Sequence, residues 1–360
     1  MHSLRETVGI YLVSMIVTPG FAQDLSSRID SLMHEFNGPD RPGASVMVIR
    51  EGNVLFMKAY GMADLEERVP ATTATNYRLA SVTKQFTAMS VLMLKERKKL
   101  SLENTLPVFF PVFPAYGKRI TVRHMLQHTS GLIAYEDVMP ETTTVQVLDR
   151  DVLAMMKAQD STYFPPGTQF RYSNTAYALL SQIVERVSGM PFARFLTENI
   201  FEPLGMDATL AYEKGISTVM HRAYGYSKRD STKTPGFDRT DQSSTSAVLG
   251  DGGIYSSVED LFKWDQALYT DELVSRETLD EAFTPNVLPD GKNSGYGFGW
   301  YIDEYRGLRR IHHEGSTVGF RTEILRFPRL RVSVIILVNR AEADPEALAL
   351  RIADIVLFGG

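Results

Sequence analysis

Three short clusters of polar residues have the types and spacing that covalent chemistry requires. The first is Ser81-Val82-Thr83-Lys84, which opens a helical run, Gln85–Lys95, apolar nearly all round and therefore read as buried. Residues three apart share one face of a helix, so Ser81 and Lys84 are within side-chain reach of each other. A serine hydroxyl is a weak nucleophile at neutral pH and needs a base beside it. An amine held in a dry pocket can shed its proton and act as that base, or relay a proton. The free N–H groups and positive dipole end of the helix start would favour an oxyanion formed near Ser81.

The second cluster, Tyr172-Ser173-Asn174, follows the turn-rich Phe164-Pro165-Pro166-Gly167, so the tyrosine is predicted on a loop before a helix over Ala176–Val187. A phenol beside an ammonium is expected to have a lowered pKa, which would make Tyr172 a general base and later the acid for a leaving group. Asn174 offers a donor and an acceptor suited to a substrate amide. The third cluster is His313-Glu314-Gly315-Ser316, on a strand-like run near the end. Here Gly315 is expected to leave room for a substrate along the strand, with the Ser316 N–H as second oxyanion donor and His313 as a substrate contact. Each pattern alone is weakly specific.

Elements that could position these clusters follow from periodicity and turn residues. Gln23–Phe36 reads as an amphipathic helix, and Ala44–Arg50 with Val54–Tyr60 as a hairpin across Glu51-Gly52-Asn53. Tyr296–Tyr305, Arg309–Glu314, Gly319–Phe327 and Arg331–Asn339 read as strands, and Pro345–Leu357 as a closing helix. The stretch between is mostly helical, and Ser231–Asp241 reads as its most loop-like part. Strands at both ends with helices between predict an α/β (α+β) fold: one sheet from residues 23–76 and 291–360, and a mainly helical domain over 77–290 inserted into it.

Composition narrows the chemistry. The 360 residues carry a net charge of −5, 44% hydrophobic residues and no cysteine. Thiolate nucleophiles, disulfides, Cys-based metal sites and thiol-linked lipid anchors are excluded. No basic field exists for a nucleic acid, and the expected partner is a small molecule or short peptide. Met1–Ala22, with the apolar run Val8–Val17 and small residues Gly20 and Ala22, reads as a signal peptide, which would make the protein exported, periplasmic or secreted, without a stable membrane anchor. No cofactor or metal is expected. His124 and His128 are four apart, but Met125 stands where a zinc-protease helix needs glutamate, so a structural cap fits His124 better. Gly295–Trp300 is not a dinucleotide fingerprint, since no helix follows it, and there is no Gly-x-Ser-x-Gly elbow.

Taken in order, Ser81-x-x-Lys84, Tyr172-Ser173-Asn174 and His313-Glu314-Gly315 resemble the motifs of the serine β-lactamase and penicillin-binding superfamily. The tyrosine makes the chain look like the branch holding class C β-lactamases, D,D-peptidases, D-aminopeptidases and esterases. Ile120–Leu132, Phe201–Met206 and Gly252–Ser256 are similar to that branch's connecting segments, and the likeness covers most of residues 25–357. The resemblance implies a β-lactamase/transpeptidase-like fold with an antiparallel sheet. It also implies a covalent acyl-enzyme: Ser81 attacks, Lys84 and Tyr172 manage the proton, Asn174, His313, Gly315 and Ser316 contact substrate, and water activated by Tyr172 releases the product. One departure matters. Class C enzymes have Lys-Thr-Gly as third motif, and His313-Glu314-Gly315 weakens carboxylate recognition unless Arg321 or another cation contributes. Lys233-Thr234-Pro235-Gly236 does not replace it, because the proline spoils the motif. Peptide or ester hydrolysis is therefore expected ahead of β-lactam hydrolysis, with a penicillin-binding or sensor protein that does not turn over as the other reading.

Overall fold

The computed structural model describes residues 19–230 and 235–359. The expected signal segment lies outside them apart from residues 19–22, which open helix α1 (Pro19–Leu32). The β-branched run of Ala44–Arg50 forms β1 and Asn53–Tyr60 forms β2. Glu51 and Gly52 between them both have positive φ, 52° and 79°, the backbone of a two-residue turn whose twist matches that of the strands. Four further strands, β3 (Tyr301–Tyr305), β4 (Leu308–Thr317), β5 (Phe320–Phe327) and β6 (Val332–Val338), complete an antiparallel sheet in the order β3-β4-β5-β6-β1-β2. Strands from both ends of the chain thus meet where β6 pairs with β1, Ala44 opposite Val338 and Arg50 opposite Val332.

Both faces of the sheet are covered, which explains why β6 is apolar almost throughout. Its alternate residues enter different cores. Val332, Val334, Ile336 and Val338 join Leu25 and Ile29 of α1 and Ile352 and Val356 of α6 (Pro345–Phe358). Ile335 and Leu337 face the other way, into a larger core shared with the helices α2 (Thr83–Glu96), α3 (Asn174–Ser188) and α5 (Val258–Ala267). A one-turn helix, α4 (Leu249–Gly252), precedes α5 in the chain.

Several boundaries differ from expectation for local reasons. The first helix ends at Leu32, and His34–Phe36 forms a separate tight turn. Gly295–Trp300 is not strand: Gly295 and Gly299 have φ of 69° and 79°, and only from Tyr301 does the chain join the sheet. Phe237–Arg239, inside the stretch read as loop, pairs with Tyr226–Lys228. The cap of α5 is Ser257, which accepts the Asp260 N–H at 3.1 Å. Among the described residues no helix is long and apolar enough to cross a membrane.

One ion pair joins α5 to the sheet inside the larger core. Arg326 on β5 donates to Asp265 at 2.7 Å, and Ser333 on β6 donates to the same carboxylate oxygen at 2.8 Å, with both charges fully buried. Removing one partner of such a pair leaves an uncompensated charge in low dielectric. Asp265→Ala is expected to lower the unfolding free energy in urea by about 3–5 kcal/mol, and a loss below ~1 kcal/mol would contradict that placement.

Candidate active site

Ser81 stands at the tip of a tight turn, Ala80–Val82, that leads into α2. The strand Tyr77–Arg78 pairs with Ile254–Ser256, and the Leu79 N–H donates to the Ile254 carbonyl at 2.8 Å. On the other side the Thr322 hydroxyl of β5 donates to the Leu79 carbonyl at 2.8 Å. Clamped on both sides, the chain turns sharply at Ala80, whose φ of +49° is a strained value for a residue with a side chain. Ser81 is left half-exposed in a small cleft of ≈130 Å³, whose walls include Glu136, Asn174, Asp251, Ser316 and Thr317.

Every residue of α2 from Thr83 to Leu94 is buried, Lys84 among them. The Lys84 Nζ has two hydrogen-bond partners, Ser81 Oγ at 3.0 Å and the backbone carbonyl of Asp251 at 2.8 Å. Burial lowers its pKa from the ordinary 10.5, against the opposing charges of Asp251 and Glu136. The amine therefore releases a proton more readily than a surface lysine. Burial pushes the Asp251 carboxyl the opposite way, upward, while Lys84 pulls it back. Its Oδ2 accepts from the Tyr135 hydroxyl at 3.2 Å.

Tyr172 lies just before α3, where the sequence placed it, but its ionisation runs against expectation. The Lys84 ammonium sits over its ring, 4.9 Å from the centroid, and makes no hydrogen bond to its hydroxyl. The hydroxyl is buried and makes no full hydrogen bond among the described residues, Ser81 being the one group near enough to favour the anion. Burial dominates and drives the Tyr172 pKa well above 10. Tyr172 is thus a neutral phenol, a proton donor, and the group disposed to accept the serine proton is Lys84. His128 packs on the Tyr172 ring at 4.3 Å and accepts the Ser173 N–H on Nδ1 at 3.1 Å, which fixes the chain behind the tyrosine. His124 serves as the expected cap, accepting the Thr121 N–H at 3.3 Å.

Asn174 reaches the cleft and donates its amide to Glu136 at 2.8 Å, which leaves its carbonyl oxygen free to accept. The third cluster divides. Ser316 lines the cleft with Ser81. His313 is buried beneath it, with Nδ1 bonded to the Glu314 carbonyl at 2.6 Å and Nε2 to the Tyr296 hydroxyl at 2.9 Å. A carbonyl only accepts, so the proton is on Nδ1 and Tyr296 donates to Nε2. Burial and the Lys84 charge depress the His313 pKa to about 3, so the ring is neutral and both nitrogens are occupied within the protein rather than presented to a substrate. Gly315 likewise leaves no space for a ligand. A Cβ there would lie 2.2 Å from the Leu79 carbonyl oxygen, so the glycine lets β4 close directly onto the turn that carries Ser81. Arg321 donates to the Thr317, Val318 and Phe320 carbonyls around its own hairpin.

The sequence profile of the beta-lactamase family matches residues 29–357. The chain belongs to the beta-lactamase family. Within reach of it, penicillin-binding protein 4* of Bacillus subtilis (strain 168) is 34% identical over 338 residues, covering 91% of this chain and 73% of that one. Protein flp of Staphylococcus aureus (strain MRSA252) is 27% identical over 328 residues, 88% of this chain, and the chain spans 63% of that relative's length. The solved structure of an octameric penicillin-binding protein homologue from Pyrococcus abyssi superposes with a TM-score of 0.78 at 27% identity, covering 93% of this chain and 77% of that one.

As a member of that family, the chain adds two acids to its cleft that its motifs did not announce. Asp251 lies in Gly250-Asp251-Gly252-Gly253, where the acid among glycines is the available signal, and Glu136 has no spacing to mark it. A neutral Tyr172 donor matters most for a poor leaving group. Tyr172→Phe is expected to slow hydrolysis of a D-alanyl p-nitroanilide by about 10²–10⁴-fold, and of a p-nitrophenyl ester, whose leaving group needs no proton, by less than ~10-fold. Equal losses on both would return Tyr172 to the role of base. Because Lys84 must be neutral to accept a proton, kcat/KM for the ester should rise with pH through a value below the usual lysine range and then level off. A flat profile would contradict this.

Proposed function

We propose that this protein is an exported serine acyl hydrolase that cleaves small peptide, amide or ester substrates through an acyl-enzyme on Ser81. The observation that carries this reading is the fully buried Lys84 amine 3.0 Å from the Ser81 hydroxyl. Lys84, once neutral, takes the hydroxyl proton as Ser81 Oγ bonds to the acyl carbon. The oxyanion is received by the backbone N–H groups of Ser81 and Ser316. As the tetrahedral intermediate collapses and the bond to the leaving group breaks, Tyr172 protonates the departing amine or alkoxide and takes back the proton held by Lys84. In the second half, water gives a proton to the neutral Lys84 as its oxygen bonds to the acyl carbon, and that proton passes to Ser81 Oγ as the ester bond breaks. Export rests on the apolar run Val8–Val17 and the small residues that follow it.

Charge supports this substrate class over β-lactams. Glu136 and Asp251 both line the cleft. Of the basic groups nearby, Arg78 is a buried part of the cleft wall, with two nitrogens on the Gly252 and Ser246 carbonyls and Nη1 without a partner among the described residues, Lys84 is buried, and Arg321 is held by its own hairpin. A substrate carboxylate would meet the Glu136 carboxylate, offset in the cleft wall only by the buried Arg78, whereas a neutral or ammonium-bearing amide would not be opposed. The names of the relatives favour a second reading, acylation by penicillin without turnover.

The test is a panel of a D-alanyl p-nitroanilide, a short-chain p-nitrophenyl ester, a chromogenic cephalosporin and a fluorescent penicillin, run on wild type and Ser81→Ala. Hydrolysis of the anilide and ester exceeding that of the cephalosporin, all lost in Ser81→Ala, is the expected result. Activity surviving in that variant would overturn the nucleophile, and stable penicillin labelling without hydrolysis would favour the second reading. Glu136→Gln is expected to improve the cephalosporin rate relative to the ester by roughly tenfold, the scale of one like charge removed near a partly buried site. An unchanged ratio would contradict the charge argument.

A further inference from the structure

Asp149 is a buried acid with no part in the chemistry above. It opens the helix Asp149–Lys157 but does not cap it, since Asp151 accepts the Leu148 N–H at 2.9 Å instead. Its two oxygens are used on other elements. They accept the Leu249 N–H at 2.7 Å, the Gly250 N–H at 2.9 Å and the Ser181 hydroxyl of α3 at 2.8 Å. Desolvating a carboxyl is unfavourable unless its hydrogen bonds are replaced, and three donors replace them here.

Those donors hold α4, the turn on which Lys84 depends. Asp251 in that turn presents its carbonyl to Lys84 Nζ at 2.8 Å. The same turn is pinned from α2 by the Thr87 hydroxyl, which donates to the Gly250 carbonyl at 2.7 Å. Against α3 it is seated so closely that a Cβ on Gly250 would lie 2.4 Å from the Tyr177 carbonyl oxygen. Asp149, Thr87 and the α3 backbone thus fix, from three sides, the carbonyl that aims the amine at Ser81.

We propose that Asp149 is a positioning residue for Lys84, acting through the Leu249–Gly252 turn to hold the amine in line with the Ser81 hydroxyl. The inference rests on Lys84 being the base for Ser81. A lysine side chain has four rotatable bonds, and without a fixed second partner its Nζ samples orientations that do not face the serine. A displacement of about 1 Å at a reacting group can slow a reaction by ~10²-fold.

The experiment follows the rate at which a fluorophosphonate probe labels Ser81 in the full chain, in a cycle of Asp149→Asn, Lys84→Ala and the double variant. Asparagine keeps the shape but turns an N–H toward one of the two backbone donors. Asp149→Asn should slow labelling by about 10–100-fold in the wild-type background and by less than ~2-fold when Lys84 is already alanine. Thr87→Val, which removes the other pin at little cost to packing, should reproduce the pattern and decides the matter if Asp149→Asn does not fold. Equal losses in both backgrounds, or no loss with Lys84 present, would overturn the inference. Labelling of Lys84→Ala at the wild-type rate would instead overturn the base itself, so the two failures are distinguishable.

Discussion

The site depends on one buried contact: the amine of Lys84 held between the Ser81 hydroxyl and the Asp251 carbonyl. An amine in water is charged and useless as a base at neutral pH, so the fold must keep water from it and still give its hydrogens somewhere to go. The burial of α2 on all sides meets the first requirement. The α4 turn meets the second with a neutral carbonyl, which accepts from the amine without adding a full charge, while the Asp251 carboxyl keeps its own proton more readily than a surface acid would.

That constraint also gives meaning to the third motif. His313 and Gly315 face the nucleophile turn rather than the substrate. Gly315 allows β4 to lie against Leu79, Thr322 on the neighbouring strand bonds the Leu79 carbonyl, and His313 fills the space beneath with a neutral ring anchored at both nitrogens. A cation in place of His313 would sit in the same dry volume as Lys84, and each charge would disfavour the other. The histidine is thereby suited to a site whose lysine must be able to lose its proton.

The sheet was largely legible from sequence because its strands are runs rich in β-branched and aromatic residues, the first two joined across turn residues at Glu51-Gly52. α2 was legible from a nearly all-apolar run, and α3 from the turn-rich Phe164–Gly167 approach followed by a helical pattern. Tyr296–Trp300 was misread as strand because its aromatic residues favour strands, whereas Gly299 adopts positive φ close against α2 and Gly297 lies against the Ala282 carbonyl. Ser81, Lys84, Tyr172 and Asn174 could be placed because local spacing carries them. Asp149, Asp251 and Glu136 could not, since their roles arise from contacts between residues 32 to 167 positions apart. Ionisation was the least legible property: proximity of Tyr172 to Lys84 pointed to an anionic phenol, and only the position of the ammonium over the ring, together with burial of the hydroxyl, reverses that.

The central claim is that Lys84 is a buried amine poised to lose its proton. It is tested most directly by titrating protein carrying ¹³C at lysine Cε, following chemical shifts by NMR, with Lys84→Ala identifying the Lys84 signal. The account predicts one lysine titrating clearly below the others, its signal absent from the variant. A Lys84 signal titrating with the surface lysines, near the ordinary 10.5, would contradict it.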